Sequence, residues 1–271
     1  MLVSELEAAL LALFPAEQAE GWDRVGLSVG RPSAEVTGVA CALDATHATV
    51  EAARARGANV LLTHHPLFLE PPARLVPDIA ADPVASAMWR AVELGVSVIS
   101  LHTNLDRSRQ ARELLPSLLG DLVQPGTLTS LEHPETPEAP ALGGLFDIHP
   151  APLRDVVAHV AAAFGQSPRV WGAPEAPVRR VALLGGALGD FGEQALDAGA
   201  DAIICGEAGY HKVLSLAECG LSVVLLGHDV SEQPFCSILH DAATAAGVPS
   251  TCCHRIERPR TWWSPCEGGT A

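Results

Sequence analysis

No stretch of the 271-residue chain approaches the roughly 18–20 consecutive apolar residues that a membrane-spanning helix needs, although 48% of its residues are hydrophobic. The opening segment, MLVSELEAALLALFPAEQAE, has no basic leader and carries Glu5 and Glu7 early, so no secretory signal and a cytoplasmic location are expected. Lysine is nearly missing: Lys212 is the only one, and the remaining positive charge is arginine. With a formal charge of −15, the chain lacks the basic surface that a nucleic-acid partner demands. It fits a soluble acidic protein and suits a site that collects cations. No C-x-x-C pair exists. The cysteines, at 41, 205, 219, 236, 252, 253 and 266, are odd in number and several sit in apolar runs. That pattern predicts buried thiols in a reducing compartment rather than a disulfide framework. Cys252–Cys253–His254 offers soft donors but has no second pair at zinc spacing. A Walker phosphate loop, an H-E-x-x-H helix and a G-x-S-x-G elbow are also missing. GGALGD (185–190) lacks the G-x-G-x-x-G spacing and reads as a turn.

What is present is a regular alternation of strand-like and helix-like segments. The N-terminus reads as a short amphipathic helix opened by Ser4, with Glu7 three residues on as a capping box. VTGVACALD (36–44) is strand-like, and Thr46 caps a helix that Gly57 closes. ANVLLTHH (58–65) is a second buried strand, and Asp82–Pro83 starts a helix that runs to Leu94 and stops at Gly95. VSVISLH (96–102) is a third strand. Short apolar strands separated by helices predict parallel pairing through right-handed crossovers. The later half repeats the pattern: GADAIICGE (199–207) echoes GANVLLTHH (57–65), and LSVVLLGHDVSE (221–232) echoes VSVISLHTNLD (96–106). A histidine precedes an acid by four positions in both copies, His102/Asp106 and His228/Glu232. The expected fold is therefore α/β, with two similar lobes of mainly parallel sheet and a site in the cleft between them. Approximate bounds are 1–124 plus 228–271 for the first lobe and 125–227 for the second. Between the repeats, the proline- and glutamate-rich EHPETPEAPA reads as an exposed loop, and GGLFDIHPAP as a short strand before a helix from about Leu153. Trp262 and Trp263 in the tail are expected to pack or to sit at a subunit contact.

In a parallel sheet every strand ends on the same edge, and ligand sites gather there. Those ends carry Asp44, then His64 and His65, then His102 and Asp106. Neighbouring side chains on extended backbone diverge, so His64 and His65 suit one ion each of a metal pair, and Pro66 holds His65 extended. Glu232, in the first turn after its strand, is the best bridging carboxylate. Imidazole with carboxylate suits Zn²⁺, Fe²⁺ or Mn²⁺. His102, Glu207 and His211 are candidates for orienting the ligands through hydrogen bonds, and Asp44 for that role or for substrate. The isolated His47, His133, His149, His159, His240 and His254 carry no such pattern.

Taken together, GWDRVGLSVG (21–30), ALDAT (42–46), GANVLLTHHPL (57–67), HTNLD (102–106), GADAIICGEAGYH (199–211) and GHDVSE (227–232) resemble the Nif-three-like dinuclear-metal proteins. That family is also described as homologues of type 2 GTP cyclohydrolase 1. The resemblance implies two α/β lobes without the middle domain of longer members, two divalent metal ions per subunit, and a homohexameric ring. It implies that His64 and His228 hold one ion, that His65 and Asp106 hold the other, and that Glu232 bridges both. Asp229, where the family commonly has an aromatic residue, and the single His211 depart from the family pattern.

Two divalent ions sharing a water favour hydrolysis of a nucleotide or other small metabolite. Attack on GTP would call for basic residues near a triphosphate, and Arg24 and Lys212 are the ones adjoining the motifs. The alternative is a non-enzymatic metal-storage, metal-insertion or regulatory protein, whose site would be closed rather than open to a ligand. A docking platform for protein partners would need an exposed apolar patch.

Overall fold

A computed structural model of the chain describes residues 1–136 and 138–257. Trp262 and Trp263 lie outside the described residues. The first half runs α1 (Val3–Leu13), β1 (Gly26–Val29), β2 (Val39–Ala42), α2 (His47–Ala55) and β3 (Val60–Thr63). It continues with α3 (Pro83–Leu94), β4 (Ser97–Ser100), α4 (Thr103–Asp106) and α5 (Arg109–Ser117). Next come β5 (Thr129–Ser130), β6 (Gly144–Pro152), α6 (Leu153–Phe164), β7 (Arg169–Trp171), β8 (Pro177–Leu183) and α7 (Phe191–Asp197). The described residues continue with β9 (Ala202–Cys205), α8 (Tyr210–Glu218), β10 (Ser222–Leu225), α9 (His228–Glu232), α10 (Phe235–Ala245) and β11 (Cys253–Arg255).

Local chemistry sets most of these boundaries. Thr46 Oγ1 accepts from Thr49 N at 3.2 Å, and Asp82 Oδ1 accepts from Ala85 N at 2.9 Å, each satisfying an orphan donor at a helix start. Gly95 ends α3 in the left-handed region at φ 65°. The N-terminal helix starts earlier than the Ser4–Glu7 pattern implies. Leu2 is its N-cap, Glu5 Oε2 accepts from Leu2 N at 2.8 Å, and Glu7 Oε1 reaches away to Leu27 N at 2.7 Å. Glu7 is thus used to tie α1 to β1, which a pattern confined to the helix does not register.

The first sheet has the order β1-β4-β3-β2-β11 and the second β5-β6-β8-β9-β10-β7. Parallel pairing holds where strand–helix units alternate: β4-β3-β2-β11 in one sheet, β8-β9-β10 in the other. The strands β1, β5, β6 and β7 join antiparallel. GGLFDIHPAP forms a longer strand than expected, nine residues interrupted by an irregularity between Asp147 and Ala151. The runs β1-β4-β3-β2 and β7-β10-β9-β8 match in order and direction, as duplicated units would. A further correspondence lies just past each antiparallel strand. Gly30 (φ 137°) abuts Ser97 at the start of β4, and Gly172 (φ 147°) abuts Ser222 at the start of β10, where any Cβ would overlap the serine.

Strand alternation sorts the apolar side chains into layers. Ala40, Leu61 and Val98 face α2 and α3 on one outer side, while Ile203 and Val223 face α8 on the other. Between the sheets, Cys41, Leu62, Ile99, Ile204 and Val224 share one core with α1, α5, α6 and α10. The carboxyl ends of both parallel runs meet at the edge of this shared layer.

Candidate metal centre

His64 and His65 follow directly on β3, and adjacency on extended backbone sends them apart. His64 is fully buried, and its Nδ1–H donates to the Leu101 carbonyl at 3.0 Å. Its Nε2 has no hydrogen-bond partner; it lies 3.5 Å from Asp106 Oδ1 and 3.7 Å from Glu232 Oε1. His65 is gripped at both nitrogens: Nδ1 by Asp44 Oδ1 at 2.8 Å and Nε2 by Glu232 Oε2 at 2.8 Å. Glu232, 4% exposed, also meets His228 Nε2 at 3.0 Å, while His228 Nδ1 contacts Glu207 Oε1 at 3.0 Å. Glu232 and His228 therefore reach the first sheet's histidines from α9, which follows β10 of the second sheet.

The donor atoms fall into groups within 4.8 Å: His64 with Asp106 and Glu232, His65 with His228 and Glu232, and His64 with His65 and His102. This grouping differs from the pairing that the resemblance implied. His64 shares a group with Asp106, and His65 shares one with His228. The reason is the divergence of the tandem rings, which sends His64 inward to α4 and His65 across to α9. Glu232 is common to both carboxylate-containing groups. Cys252, Cys253 and His254 enter no such group among the described residues; Cys253 instead packs on β11 with its Sγ 4.0 Å from Cys41 Sγ.

A cation fits this constellation. An unpartnered polar atom in a protein interior costs about 1–3 kcal/mol, and His64 Nε2 is such an atom, aimed at two carboxylates. The surroundings also leave room: Gly186, at φ 65°, lies against Glu232, and a Cβ there would overlap Glu232 Oε1. The GGALGD turn expected from sequence thus has a packing duty that its spacing did not reveal.

Ionisation follows the same contacts. Burial lowers the His65 pKa, but hydrogen bonds to Asp44 and Glu232 outweigh it and raise it to about 10. The bond to Glu232 raises His228 to about 9. Burial holds the Asp106 carboxyl up at about 7. Glu232 is disfavoured by burial yet held well below the usual carboxylate range by His228, His64 and His65. All three raised groups bind protons more tightly when folded than unfolded. Their stabilisation is complete below the unfolded pKa and disappears as pH rises through the folded one. Chelator-treated protein is therefore expected to lose stability steadily from pH 7 to pH 10 through His65 and His228. Urea unfolding at pH 6.5, 8 and 9.5 measures this, and a flat profile would contradict the hydrogen-bonded arrangement.

The other sequence candidates divide. Asp44 and Glu207 touch His65 and His228, and His102 stands beside the tandem pair with ring centroids 5.3 and 5.7 Å away. His211 is exposed and its ring contact is with Tyr210, while Arg24 donates from Nε to the Leu69 carbonyl at 3.2 Å. Neither enters the cluster, because α8 and the 21–25 loop carry those side chains outward. Asp23, by contrast, was not singled out by its residue type or position. It accepts from His102 Nδ1 at 2.9 Å and from Thr103 N at 3.0 Å. It belongs to an irregular stretch with no periodicity, and only the GWDRVG match flagged that stretch.

Two α/β sheets whose strand ends bring together a histidine–carboxylate cluster able to hold metal ions define the class of protein. A family model described as Duf34/NIF3 (NGG1p interacting factor 3) matches residues 1–252, and the chain belongs to that family. A Streptomyces coelicolor protein named GTP cyclohydrolase 1 type 2 homolog is 33% identical over 243 residues, covering 87% of this chain and 83% of the relative. A Clostridium acetobutylicum protein of the same name is 27% identical over 223 residues, covering 81% of each. Among solved structures, Staphylococcus aureus hypothetical protein SA1388 has a TM-score of 0.82 at 22% identity, covering 94% of this chain and 96% of its own. A Bacillus cereus protein related to NIF3 has a TM-score of 0.81 at 19% identity, covering 96% and 97%. No helix among the described residues is long and apolar enough to cross a membrane.

Proposed function

We propose that the chain is a dinuclear divalent-metal protein that hydrolyses a nucleotide or another small metabolite. His64, Asp106 and Glu232 would hold one cation, and His65, His228 and Glu232 the other. The observation that favours hydrolysis over storage is the cavity of about 820 Å³ that His65, His228 and Asp44 line. A storage or structural centre is closed by its own ligands, whereas here two of the proposed ligands front a space large enough for a metabolite. Divalent cations in these seats would supply Lewis acidity and lower the pKa of water toward neutrality.

The chain's own residues supply the rest. Asp44 and Glu207 fix the rings of His65 and His228 from behind, which sets the tautomer and orientation each ring offers. Leu114, Leu118 and Phe164 make the far side of the cavity apolar, which favours a substrate with a flat or apolar body. The names of the Streptomyces and Clostridium relatives support a nucleotide. A triphosphate grip through Arg24 or Lys212 finds no support: Arg24 bonds the Leu69 carbonyl, and Lys212 Nζ is paired with Asp190 and Glu193. Among the described residues, the arginine that lines the cavity is Arg255.

The test is turnover of a panel of nucleotides and phosphoesters by zinc- or manganese-loaded protein, beside the Asp106→Asn variant. The variant is expected to lose roughly 10–100-fold or more in rate, as weakened metal ligation does. Equal turnover by both proteins would assign the activity to a contaminant.

A further inference from the structure

The cluster contains a third donor group, in which His102, unused by the two Glu232-anchored seats, joins the tandem histidines. His64, His65 and His102 place one nitrogen each within 4.8 Å of one another, with no carboxylate among them. In each ring Nδ1 is already engaged: by the Leu101 carbonyl in His64, by Asp44 in His65 and by Asp23 in His102. Nε2 is the second nitrogen of each ring, and in His65 it meets Glu232 Oε2 at 2.8 Å, a contact that a cation in this group would displace. Of these, His64 Nε2 is buried and without any hydrogen-bond partner.

His102 is aimed with unusual care. Asp23, whose side chain is fully buried, accepts from His102 Nδ1 through Oδ1, while its Oδ2 is held by the Thr103 backbone N and hydroxyl. A carboxylate fixed in this way locks the imidazole tautomer with Nε2 as the free base, the arrangement that metal-ligating histidines adopt. Exposed Trp22 contacts the His102 ring edge-on at 5.9 Å between centroids.

We propose that His64, His65 and His102 form a third, three-imidazole seat for a single borderline-soft divalent cation, positioned by Asp23 and sharing the tandem histidines with the Glu232-anchored pair. Three imidazole nitrogens suit Zn²⁺, Co²⁺ or Fe²⁺ and offer nothing to Mg²⁺, which takes oxygen ligands. His64 offers an unpartnered Nε2 and His65 an Nε2 that it shares with Glu232, so a cation in this seat competes with the carboxylate seats for the same rings. A cation in this seat stands beside the charged seats, and the all-nitrogen donor set favours borderline-soft ions over hard ones. It rests on the metal-binding reading given above.

Co²⁺ alone is the probe, titrated into chelator-treated full-length protein and followed by absorption and calorimetry. Wild type is expected to take two equivalents. Glu232→Gln, which removes the shared charge of the paired seats, is expected to retain one equivalent that excess Mg²⁺ does not displace. Adding His102→Ala is expected to abolish that equivalent. Adding Asp23→Asn, a milder change that keeps the side-chain shape, is expected to weaken it about 10–100-fold. The seat is overturned if Glu232→Gln binds no Co²⁺, or if its one equivalent survives either second substitution undiminished or yields to Mg²⁺. In those cases two equivalents in wild type leave the dinuclear reading standing. Wild type that binds none removes both. Thermal unfolding of each variant identifies any loss that comes from misfolding, and the Asp23→Asn affinity then decides.

Discussion

Replacing Glu232 with alanine is expected to cut tightly bound zinc to no more than one ion per chain, against the two that the proposed pair of seats would hold. The expectation follows from position rather than from charge alone. Glu232 is the residue common to both carboxylate-containing donor groups, and its two oxygens divide between them: Oε1 toward His64, Oε2 toward His65 and His228. Removing Asp106 takes a ligand from one group, whereas removing Glu232 takes one from each. The carboxylate is also nearly sealed from solvent, so water cannot substitute for its charge cheaply. Elemental analysis after gel filtration reads the stoichiometry, with circular dichroism confirming a folded chain. Two zinc ions retained per folded Glu232→Ala chain would remove the shared-carboxylate arrangement altogether.

Gly186→Ala is expected to damage both stability and metal affinity, whereas Gly189→Ala should damage stability alone. Both glycines have left-handed backbone, at φ 65° and 53°. A side chain in that region costs on the order of 1–2 kcal/mol, and this cost is common to the two variants. They differ in what a Cβ meets. At Gly189 the nearest atom is Phe191 Cδ2 at 3.8 Å, an ordinary contact, while at Gly186 it would overlap Glu232 Oε1. Glu232 cannot retreat, because Gly185 packs on its stem and the histidines hold its head. Gly186→Ala should lower Tm by on the order of 5–10 °C and weaken zinc binding, with Gly189→Ala showing a smaller Tm loss and unchanged zinc binding. Equal behaviour of the two would mean that Gly186 serves only the turn.

The parallel cores were legible because each β-strand is a short apolar run closed by a helix with a readable cap, such as Asp82 or Gly95. The tandem histidines announced the cluster for a similar reason: neighbours on an extended chain cannot share one environment. Which histidine joins which acid was not legible. It depends on how α9 approaches β3 across the gap between sheets, a tertiary relation with no periodicity in sequence. Asp23 escaped notice because it lies in an irregular loop and acts through His102, 79 residues away. The antiparallel strands were only partly legible: GGLFDIHPAP reads as a short strand, but not as the nine residues of β6 that lie between β5 and β8. β6 carries Pro150 and Pro152, which argue against a strand when read alone but are tolerated where the strand pairing is irregular.

The polypeptide leaves the first sheet after β4, builds the entire second sheet, and returns so that β11 can pair with β2. The opposing walls of the cleft are therefore stitched together by two separate crossings of the main chain. A clamshell opening about one crossing would have to pull β11 from its neighbour or shear the common interior layer. The span between the tandem imidazoles and α9 is accordingly a rigid dimension of the scaffold, ready before any ion arrives.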